Sequence, residues 1–131
     1  MTELPLLGTA EFPGDVEHVT EARHWVRRVL GDAHAAVDLV ELLACELITN
    51  SAKHTKTDNI RIAVYGSGDT AHVQVVDAGS NESTPRSRGD VFGNGDSGNG
   101  RGLYLVDTLT EGRWGTYRYG AGQTTWFTVR G

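Results

Sequence analysis

Cysteine is nearly absent from the 131 residues: Cys45 stands alone, so no internal disulfide braces the fold. Long apolar runs are missing too. Nowhere do 18 apolar residues follow one another, and the opening "MTELPLLGTAEF" lacks the basic start and apolar core of an export signal. These absences lead to the expectation of a cytoplasmic protein with no membrane partner. Positive charge is also in short supply. Twelve Lys and Arg against 17 Asp and Glu leave a formal net charge of -5, and no basic stripe is visible. A surface that displaces counterions from a phosphate backbone needs such a stripe, so direct nucleic-acid binding is not expected. The five histidines, at 18, 24, 34, 54 and 72, form neither HExxH nor HxH, and no transition-metal site built by this chain alone is expected.

Glycine, by contrast, is plentiful, and it is densely clustered between Gly89 and Gly102. The length suits a single domain spanning 1–131 with one core. Along it, residues 1–11 form a tail or an edge strand, and "PGD" supplies a turn and a helix cap. Val16, Val19, Ala22, Val26 and Leu30 then recur at helical spacing, and Gly31 with Asp32 ends that helix. A second helix is predicted from about His34 to His54. "NIRIAVYG" and "HVQVVDAG" alternate like strands around the tight turn "GSGD", which makes a hairpin. Residues 80–99 are polar, glycine-rich and aperiodic, the character of a functional lid or a disordered loop. A short helix is expected over about Gly102–Thr110, followed by two strands, "RWGTYRYG" and "QTTWFTVR", around "GAG". The order predicts an α+β fold: a two-layer α/β sandwich with helices on one face of a mixed, mostly antiparallel sheet.

Three features in this frame carry chemistry. In "ELITN", Glu46 and Asn50 stand one helical turn apart, about 40 degrees around the axis, and Leu39, Leu42 and Leu43 fall within about 60 degrees of Glu46. The polar pair is therefore expected on the inward face, either as a hydrogen-bonded helix edge or as a ligand site. Asp77 shares the parity of Val73 and Val75, so the face that buries those valines also receives a carboxylate. "GNGRGLYLVD" runs a glycine cluster straight into a helix. Such a junction lets backbone amides and the helix dipole meet an anion, although it also suits a flexible linker. It is neither a Walker A loop nor a Rossmann fingerprint.

Together and in this order, "ELITNSAKH", "VVDAG", "GNGRGLYLVD" and "GQTTWF" resemble the four ATP-binding boxes of the GHKL (Bergerat-fold) superfamily of gyrase-, histidine-kinase- and MutL-like ATPases. The nearest likeness is to the anti-sigma-factor serine kinases and small actinobacterial-type histidine-kinase-like ATP-binding proteins. It runs over roughly residues 12 to 130. What the resemblance implies is Mg-ATP binding, with Asn50 as the Mg²⁺ ligand and Glu46 as the general base. Asp77 would accept from the adenine amino group, a position where GTP offers an oxygen and is rejected, while Gly79 makes room for the base. Gly98, Gly100, Arg101, Gly102 and Leu103 would form the phosphate loop, and Thr124, with Gly122, the last box. Residues 80–99 would be the ATP lid. The implied partners are a sigma factor and a STAS-domain antagonist, in a homodimer, with the alternative of an ATP-binding partner-switching module that does not transfer phosphate. Two departures stand out. "DAGSN" lacks the second glycine of DxGxG, and no arginine stands just before the phosphate loop, where the neighbourhood is "GDSGNG" and Arg86, Arg88 or Arg101 are the available substitutes.

Overall fold

A computed structural model of the chain describes residues 4–54, 58–77, 106–119 and 122–131. The first element is strand β1, Leu6–Pro13, which leads into a 3-10 turn, Val16–His18, and helix α1, Val19–Leu30. Asp15 caps that turn as "PGD" predicts, its Oδ1 accepting from the His18 amide at 3.2 Å. Gly31, at φ 98°, ends α1 in a conformation that side-chain-bearing residues avoid. Helix α2 spans Val37–His54. It starts three residues later than the expected His34, because the His34 ring takes the helix-start role by accepting from the Ala36 amide at 3.0 Å.

Strands β2, Asn59–Ser67, and β3, Thr70–Asp77, make the predicted hairpin, with Ser67 opposite Thr70 and Gly68 at φ 59° in the two-residue turn. Residues 106–110 are helical, and β4, Trp114–Tyr119, and β5, Gly122–Arg130, follow. The sheet order is β1-β2-β3-β5-β4. All four pairings are antiparallel, so the parallel component of the expected mixed sheet is not found among the described residues.

One sheet face takes both helices. Val26 of α1, Val40, Leu43 and Ala44 of α2, Ile62, Val64, Val73 and Val75 of the hairpin and Phe127 of β5 are fully buried together. Burying each such valine, leucine, isoleucine or phenylalanine side chain contributes roughly 1.5–3 kcal/mol, which is why the alternation of β3 was readable in advance. Arg27 clamps α1 to α2, bonding Asp32 at 2.7 Å, Asp38 at 2.8 Å and Glu41 at 2.8 Å. Among the described residues, no helix is long and apolar enough to cross a membrane.

Candidate functional site

Asp77 ends β3 on the inward face, as its parity requires, and only 6% of it is exposed. An ionised carboxylate among valines is costly unless donors reach it. Ser51, buried on the last turns of α2, donates from Oγ to Asp77 Oδ2 at 2.7 Å. This bond pins the C-terminal part of α2 to the end of β3. It also brings Asn50, the next residue, and Glu46, one turn earlier, to the same end of the sheet as Asp77.

The polar pair nevertheless sits differently from its expected place. Glu46 and Asn50 are both half-buried, and Leu42, counted on their inward face, is 44% exposed. The face that packs is made by Val40, Leu43, Ala44, Leu47, Ile48 and Ser51. From Leu47, Asn50 lies about 60 degrees around the axis and Glu46 about 100 degrees. The pair therefore occupies the flank of the helix, a boundary where a side chain keeps contact with solvent or ligand. Asn50 Nδ2 is buried with no hydrogen-bond partner among the described residues. A buried amide nitrogen without a partner among the described residues marks a side chain with bonding capacity to spare.

Its oxygen suits a hard cation, and magnesium commonly takes only one or two protein ligands beside phosphate and water. Among the described residues there is no cluster of three His, Cys, Asp or Glu. The Asn50 carboxamide oxygen is of the type that could serve as one such ligand.

Strands β4 and β5 add polar side chains on the same sheet face. Gln123 pairs with Asp77 across the β3–β5 ladder, and its Nε2 donates to Thr116 Oγ1 at 3.0 Å. Thr125 Oγ1 donates to the same oxygen at 3.3 Å. Gln123, Thr125 and Thr116 thus form a polar group on Asp77's side of the sheet. Thr124 does not join them. It pairs with Val76 and with Tyr117, the alternate positions, so its side chain leaves by the far face. Sequence reasoning missed Ser51 and Gln123. The signal for Ser51 was a hydroxyl three and four residues beyond Ile48 and Leu47, and for Gln123 it was strand parity, readable only once the register is fixed.

Gly79, Gly98, Gly100, Arg101, Gly102 and Leu103, with the lid at 80–99, lie outside the described residues. The helical stretch that follows is anchored: Val106 is fully buried, and Asp107 Oδ1 accepts from Trp114 Nε1 at 2.8 Å. Cys45 is half-buried, with Sγ 3.9 Å from Thr49 Oγ1.

Two helices packed on one face of a five-stranded antiparallel sheet match a GHKL-type ATP-binding α/β sandwich. The chain belongs to the histidine kinase-like ATPase domain family, whose model matches residues 12–129. No curated protein matches it significantly. Membership supports ATP binding and a regulatory, ATP-using role at the level of the superfamily.

Proposed function

We propose that the protein binds Mg-ATP beside α2 and works as an anti-sigma factor that phosphorylates a serine of a STAS-domain antagonist. The observation that supports the nucleotide site is the buried Ser51–Asp77 bond, which ties α2, the helix that carries Glu46 and Asn50, to the end of β3. Asp77 accepts from the adenine amino group. Asn50 is the residue that holds Mg²⁺, which, when bound, neutralises charge on the phosphates. Glu46, half-buried and facing outward from the packed side, accepts the proton of the attacking serine hydroxyl. The serine oxygen bonds to the γ-phosphorus, the bond to the β,γ-bridging oxygen breaks, and ADP leaves. The family likeness adds homodimerisation and a cytoplasmic setting to the proposal.

A second reading, an ATP-binding switch module without phosphotransfer, is favoured by "GDSGNG", which has no arginine before the phosphate loop. Incubating the protein with Mg-ATP and candidate STAS-domain proteins separates the two. Phosphoserine that is lost in Glu46→Gln, while ATP affinity stays within about threefold of wild type, supports the kinase. ATP binding with no transfer to any candidate supports the module.

A further inference from the structure

Ser51 has no part in the chemistry described so far, yet it is buried on the packed face of α2, among Leu47, Ile48 and Ala44. A hydroxyl placed there is destabilising unless it is bonded. Its partner is the one carboxylate buried on the facing strand, at a distance in the range of charge-assisted O–H···O⁻ bonds, 2.7 Å. We propose that Ser51 is a positioning residue for base selection: by donating to Oδ2 it fixes the rotation of the Asp77 carboxylate, and so the site's preference for a purine bearing a 6-amino group.

The proposal rests on the nucleotide-site reading above. A carboxylate at a strand end rotates readily about its last torsion, because that torsion is broad. A donor fixed on the facing helix removes this freedom before the nucleotide arrives, and less ordering then remains to oppose binding. An ionised carboxylate only accepts, so an oriented one rewards an amino group and penalises a carbonyl oxygen. Losing this donor leaves Asp77 chemically competent but less firmly aimed. The loss should therefore fall on the amino-group contact and spare the phosphate end.

Titration calorimetry with ATP, GTP and purine riboside triphosphate, the analogue without the 6-amino group, tests this on wild type, Ser51→Ala, Ser51→Thr, Asp77→Ala and the double Ala variant. Ser51→Ala should weaken ATP about tenfold, the worth of one hydrogen bond to a charged group, and leave the amino-free analogue within about twofold. Ser51→Thr, which keeps the hydroxyl, should restore ATP affinity. In the Asp77→Ala background the Ser51 change should have no further effect, since residues that act as a unit are not additive. Equal losses for ATP and the amino-free analogue would reduce Ser51 to a packing role. Wild-type affinity in Ser51→Ala, additive losses in the double variant, or a Thr variant no better than Ala would each overturn the proposal while leaving the ATP site standing. No binding of ATP to wild type at millimolar concentration would sink the nucleotide site itself, and this proposal with it.

Discussion

One step along β5 decides which side chain meets Asp77. Gln123 lies directly across from it, whereas Thr124 pairs with Val76 and is buried on the far face at 5% exposure. Directly opposed residues of an antiparallel pair have Cβ atoms about 4.5–5.5 Å apart, close enough for Gln123 to touch whatever Asp77 binds. Gln123→Ala should weaken ATP about two- to tenfold, the range for one neutral hydrogen bond. Thr124→Val, nearly isosteric and on the wrong side, should leave it within about twofold. Equilibrium titration of both variants checks the register directly. The reverse result would mean a strand shifted by one residue, which exchanges the two faces.

At the scale of elements, two turn positions carry opposite strain. Gly31 closes α1 at φ 98° and ψ 137°, a region nearly closed to other residues, so Gly31→Ala should destabilise the fold by about 1–3 kcal/mol. Glu111 takes φ 56° without being glycine, at the end of the helical stretch where the Gly112 amide bonds the Asp107 carbonyl at 2.9 Å. A left-handed side-chain-bearing residue costs roughly 1–2 kcal/mol, part of which the unfolded-state entropy of glycine offsets. Glu111→Gly should therefore raise stability by about 0.5–1 kcal/mol. Thermal melts should show Tm moving down for the first variant and up for the second. These elements were legible in the sequence to different degrees. Spacing gave α1, and period-two alternation put Asp77 inside, because each signal is local and has one polar side. For α2 the apolar residues reach nearly all the way round, from Leu39 and Leu42 to Val40 and Ile48, so composition alone could not say which side packs. Nor could it say that β5 inserts between β3 and β4, since pairing of distant strands is chosen by the whole core.

For the molecule as a whole, two histidines oppose each other in acid. His72 lies on the sheet face opposite the helices, its ring stacked on Trp126 at 5.6 Å and edge-on to Tyr65, with Nδ1 2.7 Å from Thr128 Oγ1 and Nε2 3.2 Å from the Gln74 amide nitrogen. Burial holds its pKa below the ordinary 6.5, so the unfolded chain takes the proton more readily than the folded one. The stability His72 contributes is present above about pH 6.5 and is lost as pH falls through that value towards its lower folded pKa. His18 runs the other way. Its Nδ1 lies 2.6 Å from Asp15 Oδ1, and this hydrogen bond raises its pKa, so its stabilisation is full below about 6.5 and is lost as pH rises through the raised value. Asp15 itself, held below its usual 3.8, and Asp69, lowered by Arg130, lose their contributions only at lower pH. Between pH 5 and 8 the difference profiles of variants therefore report the histidines. His72→Phe keeps a ring for Trp126 and Tyr65 but cannot titrate, so its Tm should fall less than that of wild type on going from pH 8 to pH 5. His18→Ala removes the acid-strengthened pair, and its Tm should fall more. Melts of the three proteins across that range decide the matter: a His72→Phe profile parallel to wild type would show that burial of this ring does not couple to folding.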